Sequence, residues 1–137
     1  MAAVALALPT LALVAPQIHR PTSQQTIIIN SAQATEQRIQ DMIHSSKVML
    51  FMKGTKMFPQ CGFSNTAVAI LNALEQPYET FDVLSDESVR EGIKRFSNWP
   101  TIPQCYIDGE FIGGCDLLIE MYESGELAEM VERAHAS

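Results

Sequence analysis

Apolar residues recur along this chain with two alternating periods. Val48 to Met52 is an unbroken apolar run of strand length, and Tyr78 to Val83 alternates as a half-covered strand does. Between them, Val68, Ile70, Leu71 and Leu74 keep helical spacing, so Phe63–Leu74 reads as a helix that Gln76-Pro77 breaks. Upstream, Ile39, Met42 and Ile43 mark a helix over Thr35–His44, with Thr35 as its expected cap. Ser85 is the expected cap of a helix over Asp86–Phe96, with Glu87 and Ser88 in its first turn. Gln104–Ile107 and Glu110–Ile112 read as strands joined by Asp108-Gly109, a strong hairpin signal. Cys115–Tyr122 and Glu126–His135 close the chain as helices parted near Gly125. An early strand–helix–strand unit followed by a hairpin and helices predicts an α/β domain, a small mixed four-stranded sheet flanked by helices on both faces.

The charge distribution divides the chain. Residues 1–35 hold no Asp or Glu and one Arg, Arg20, whereas all 16 acidic residues lie from Glu36 onward. The expected organisation is therefore a disordered lead over 1–35 and a folded domain over 36–137. An acid-free lead rich in Ala, Thr, Gln and Ser has the composition of an organelle transit peptide. A secretory signal is the rival, since Ala2–Ala15 is apolar and short, but no Lys or Arg precedes it. A two-part presequence and a tail with no address are the remaining alternatives. The net charge of −7 argues against a nucleic-acid surface. No apolar run is long enough to span a bilayer.

Three cysteines, Cys61, Cys105 and Cys115, form an odd set, which points to a reducing compartment and to functional or buried thiols. Cys61-Gly62-Phe63-Ser64 carries the sharpest chemistry. A thiol just before a helix is acidified by the free N–H groups and aligned peptide dipoles of the first turn. Ser64 stands where a second cysteine would complete a C-x-x-C pair, so the short disulfide of a dithiol oxidoreductase is unavailable. A reactive sulfur without a partner points to glutathione chemistry or metal ligation. The alternative is a buried inert cysteine, against which Pro59 and Gly62 argue by favouring an exposed turn. His19, His44 and His135 have no metal-like spacing.

Four segments occur in a set order: Lys53-Gly54-Thr55, Pro59-Gln60-Cys61-Gly62-Phe63-Ser64, Trp99-Pro100-Thr101-Ile102-Pro103-Gln104 and Gly113-Gly114-Cys115-Asp116. Together they resemble the monothiol, CGFS-type glutaredoxins, most of all the single-domain plastid and cyanobacterial members. The resemblance runs from about residue 36 to the end and implies the thioredoxin-like fold. It implies that Cys61 is the catalytic thiol, binds glutathione and ligates a [2Fe-2S] cluster shared with a dimeric partner. Lys53 and Arg90, assisted by Lys94, would contact the carboxylates of glutathione. Thr101 and Ile102 would pair their backbone with the tripeptide beside a cis Pro103, and Phe63 joins the same binding set. Cys115 and Asp116 would hold the γ-glutamyl end. These roles suit an extended anionic peptide, which needs cations, a free backbone edge and an acceptor for its amino group. The bland alternatives are solvated surface cations for Lys53, Arg90 and Lys94, and a helix-start acid for Asp116. Cys105 falls in a strand where relatives usually carry an aliphatic residue, and reads as a core thiol. Cys115 would either pair with Cys61 under oxidation or serve as a neighbouring thiol with no redox role.

The function implied is cluster carriage: a [2Fe-2S]-bridged homodimer that donates its cluster to apo iron–sulfur proteins. The alternatives are glutathione-dependent reduction of protein mixed disulfides, and a regulatory module binding a BolA-like partner. The resemblance places the protein in the plastid stroma, with the mitochondrial matrix as the alternative.

Overall fold

Val48–Met52 (β1) is apolar throughout because it is covered on both sides. All 5 of its residues are buried, the condition under which a strand reads as a continuous apolar run. Val48, Leu50 and Met52 face one core with Ala67, Leu71, Leu118, Leu127 and Val131. Met49 and Phe51 face the other with Ile39, Ile43, Val89, Ile93 and Tyr106. The period-2 geometry of a strand thus splits one run between two cores. The computed structural model describes every residue except Met1, Leu6, Leu8, Leu11 and Leu13.

The other elements are α1 (Ser23–Ser45), α2 (Gly62–Ala73), β2 (Glu79–Asp82), a 3-10 turn (Val83–Ser85), α3 (Glu87–Ser97), β3 (Gln104–Ile107), β4 (Glu110–Gly113), α4 (Cys115–Ser124) and α5 (Glu126–Ala136). The sheet has four strands in the order β2-β1-β3-β4. β1 pairs parallel with β2, with Leu50 opposite Thr80, and antiparallel with β3, with Leu50 opposite Cys105. The β3–β4 hairpin turns through Asp108 and Gly109, both at positive φ. α2, α4 and α5 supply the first core, and α1 and α3 the second. This is the mixed four-stranded sheet between helices that the sequence pattern predicts. Among the described residues no helix is long and apolar enough to cross a membrane.

Two expectations are corrected. α1 begins at Ser23, not Thr35, so the end of the stretch expected to be disordered is helical. Its cap is Thr22, whose side chain accepts from Gln25 N–H while the Gln25 side chain accepts from Thr22 N–H at 2.9 Å. Thr35 lies inside the helix and donates its hydroxyl to Ser31 O at 3.1 Å. The apolar spacing shows only the packed half, because Ser23–Ala34 is exposed throughout and a local capping box starts it. The packed half lies against α3 at Gly92, where a Cβ would stand 2.8 Å from Thr35 Cγ2. The cap of α3 is Asp86, not Ser85. Asp86 accepts from Val89 N–H at 3.2 Å and pairs with Arg38 of α1. Ser85 instead donates to Asp82 O at 2.6 Å within the 3-10 turn.

Candidate functional site

The loop leaving β1 folds back as a small hairpin. Gln60 N–H donates to Lys53 O at 2.9 Å, and Gly54 bridges to Pro59. Gly54 takes φ +92°, and a Cβ there would meet Phe58 O at 2.4 Å, so the closure requires glycine. From within the hairpin, the Lys56 ammonium reaches out to bond Tyr78 O and lies 4.0 Å from the centre of the Tyr78 ring. The hairpin delivers Cys61 to the N-cap position of α2, in extended backbone, with its side chain half-buried.

At that position the sulfur's proton is held less tightly than in an ordinary thiol. The main cause is the Ser64 amide, opposed by partial burial and helped by the Phe63 amide, the Lys53 charge and the Ser64 hydroxyl. No side-chain capping bond of normal geometry closes the helix start. The amides instead act on charge developing at the sulfur, which is the acidification expected of a thiol in this place.

Cys61 stands on a cleft of about 700 Å³. Every residue singled out as a candidate ligand contact lines it: Lys53, Cys61, Phe63, Arg90, Lys94, Thr101, Ile102, Pro103, Cys115 and Asp116. Lys53 comes from the end of β1, Arg90 and Lys94 from one face of α3, and Cys115 and Asp116 from the start of α4. The Ile102–Pro103 bond is cis, as expected. Buried Gln104 braces this loop, donating through Nε2 to Trp99 O at 3.0 Å and to Thr101 O at 3.2 Å.

The cationic side is only partly neutralised. Lys94 reaches Glu91 at 3.3 Å, and Arg90 stands 3.9 Å from Glu87. Arg90 Nε is buried without a hydrogen-bond partner. A buried unpaired donor on a cleft wall calls for an acceptor there, and a carboxylate meets a guanidinium best.

The other cysteines differ sharply. Cys105 is fully buried in β3 and its proton affinity is pushed up to about 12 by desolvation, which makes it the inert core thiol expected. Cys115 is buried at the first position of α4. Its thiol is raised by burial and then by the neighbouring charges of Asp116 and Cys61. All three thiols are free. Among the described residues no group of three or more His, Cys, Asp or Glu is placed to hold a metal ion.

Sequence reasoning missed Phe111, Leu117 and Glu120, which also line the cleft, and assigned no role to Trp99. Trp99 packs on Phe111 with ring centres 6.1 Å apart. Glu120 had a signal, since it follows Asp116 by four residues and so shares its helix face. Phe111 had none, because only the sheet order brings the edge strand to the loop.

The Glutaredoxin family profile matches residues 48–112. A monothiol glutaredoxin of Synechocystis is 60% identical over 103 residues, which are 75% of this chain and 96% of that one. A chloroplastic monothiol glutaredoxin of rice (Oryza sativa subsp. japonica) is 59% identical over 96 residues, 70% of this chain and 57% of its own length. The solution structure of reduced apo GrxS14 of poplar superposes with a TM-score of 0.69 at 53% identity, covering 78% of this chain and 98% of that one.

Proposed function

The chain belongs to the glutaredoxin family, in its monothiol class, and from that premise we propose that it binds glutathione in the cleft and carries a [2Fe-2S] cluster to apo iron–sulfur proteins. The observation that supports this most is a lone acidified thiol, Cys61, opening onto a cleft with cations along one side and no second thiol in its own turn of helix. Lys53, Arg90 and Lys94 receive the two carboxylates of glutathione, and the orphaned Arg90 Nε gains an acceptor. Thr101 and Ile102 align the tripeptide along their backbone beside Pro103 and Phe63. Asp116 accepts from its amino end, next to Cys115.

The cluster is cargo. It needs four ligands, commonly thiolates, and one chain offers Cys61 alone. Two protomers and two glutathione thiols complete the set, so the loaded form is a homodimer. Because half of the ligands are exchangeable small molecules, the cargo is easily surrendered. Anaerobic incubation with iron, sulfide and glutathione should yield a coloured dimer that reverts to monomer when the cluster leaves. A colourless monomer as the sole product overturns this reading.

The same thiol supports a second reaction. Cys61 thiolate attacks the glutathione sulfur of a protein mixed disulfide, breaking the S–S bond and releasing the protein thiol. A second glutathione then attacks the Cys61–glutathione disulfide, restoring the thiolate and leaving oxidised glutathione. Iron-free turnover on glutathionylated protein measures it. A third role, cluster-sharing with a BolA-like partner, is favoured only if partner binding survives Cys61→Ser.

The plastid stroma is the proposed location, on the strength of chloroplastic and cyanobacterial relatives and the acid-free composition of residues 1–35. A reporter fused to residues 1–35 tests it, with import into mitochondria as the competing outcome.

A further inference from the structure

Ser64 is the third residue of α2, three after Cys61, and is fully buried. A hydroxyl has one donor and two acceptor sites, and a buried one needs partners. One acceptor site is filled, because Lys53 N–H donates to Ser64 Oγ at 3.1 Å. Three serines in the last turns of other helices spend their O–H on a carbonyl of the preceding turn: Ser45 on Met42 O at 2.7 Å, Ser97 on Ile93 O at 2.9 Å and Ser124 on Met121 O at 3.1 Å. Ser64 Oγ instead takes the Lys53 amide, and its hydroxyl is the smallest of the groups that favour charge on Cys61.

The bond to Lys53 has a second consequence. Lys53 O accepts from Gln60 N–H at 2.9 Å, closing the loop hairpin one residue before Cys61. Ser64, Lys53, Gln60 and Cys61 thus form a closed circuit in which β1, the loop and α2 are fastened together. We infer that Ser64 is a positioning residue of the thiol site: its buried hydroxyl accepts the Lys53 amide and so ties the Lys53 end of β1 to the first turn of α2, fixing the spacing of cation and sulfur. Sulfur is a weaker donor and acceptor than a hydroxyl, so cysteine at this position would loosen the circuit as well as add a thiol. The serine is then a working part of the site, beyond marking where a second cysteine is missing. The inference rests on Cys61 being the working thiol and is independent of its cargo.

The test is iodoacetamide alkylation of Cys61 in the full-length reduced chain as a function of pH, mapped by peptide mass spectrometry. With Ser64→Ala the midpoint should move to higher pH, the rate at neutral pH should fall several-fold, and the Lys53 amide should exchange faster with deuterium. Ser64→Thr keeps the hydroxyl and should keep the wild-type midpoint. Thr66→Ala, which removes another hydroxyl of α2 that only bonds Gly62 O, should change neither reading. Should Ser64→Ala not fold, Ser64→Cys takes its place with the same expected direction. An unchanged midpoint together with unchanged Lys53 exchange overturns the inference, even if the melting temperature drops. Failure of cluster loading alongside a shifted midpoint removes the carrier reading and leaves the role of Ser64 standing.

Discussion

Cys61 and Cys115 both stand at the start of a helix and line the same cleft, yet their proton affinities are driven apart. Cys61 is the N-cap of α2, where a side chain folds over the free amides of the first turn. Cys115 is the first residue inside α4, behind the cap Gly114. Cys61 is half-buried with Lys53 near it, whereas Cys115 is buried with Asp116 beside it. A helix N-terminus alone therefore does not acidify a thiol. One residue of register, the degree of burial and the sign of the adjacent charge decide the outcome.

The strongest way to break this contrast is to exchange which thiol is present. Cys61→Ser should abolish both rapid alkylation at neutral pH and cluster loading. Cys115→Ser should leave Cys61 alkylation near wild type. Equal losses in the two variants would mean that the thiols act as one unit. Next in size is Gly54→Ala, which forces a Cβ against Phe58 O at φ +92° and opens the hairpin that presents Cys61. It should cost about 1–3 kcal/mol in urea unfolding and slow alkylation of Cys61 while sparing Cys115.

Cys105 adds a third point through pH. Burial raises it from 9.0 to about 12, so unfolded chains lose this proton near pH 9 while folded ones keep it. Its contribution to stability is whole below pH 9 and is lost as pH climbs toward 12. Cys61, being lowered, acts with the opposite sign: its contribution is present above the unfolded value of 9.0 and is lost as pH falls through the folded one. Raising the pH from about 8 to about 10.5 should therefore lower the urea midpoint, and Cys105→Val should flatten the fall. A remainder is expected from Tyr106, which burial also raises. The smallest effects come from exchanging local charges. Lys53→Gln should raise the Cys61 midpoint and Asp116→Asn should lower that of Cys115, narrowing the gap from both sides. Both shifts should shrink in high salt.

Much of this site was legible because its residues travel in short motifs on neighbouring segments. The order of elements was legible too, since β1 and the amphipathic helices announce their period. The start of α1 was not, because Ser23–Ala34 is exposed throughout and so leaves no buried stripe to read. Asp86 and Ser85 are equally good caps by residue type; the structure adds the pairing of Asp86 with Arg38, which local sequence does not show. Phe111 and Leu117 enter the cleft only once β4 and α4 are set beside the loop of Trp99. The part played by Ser64 needed its burial and the Lys53 amide, neither of which a C-x-x-S pattern conveys.

The placement of β1 in the sheet sets two clocks for the two walls of the cleft. Lys53 follows directly on Met52, the end of a strand hydrogen-bonded on both sides and sealed on both faces. Cys115 and Asp116 instead follow β4, an edge strand with one neighbour and half-covered side chains. Amides of β1 should open only with the whole molecule, and those of β4 in smaller, earlier excursions. Hydrogen exchange should thus find the end of β1 that carries Lys53 almost stationary, with the β4 side that leads into Cys115 and Asp116 doing the breathing.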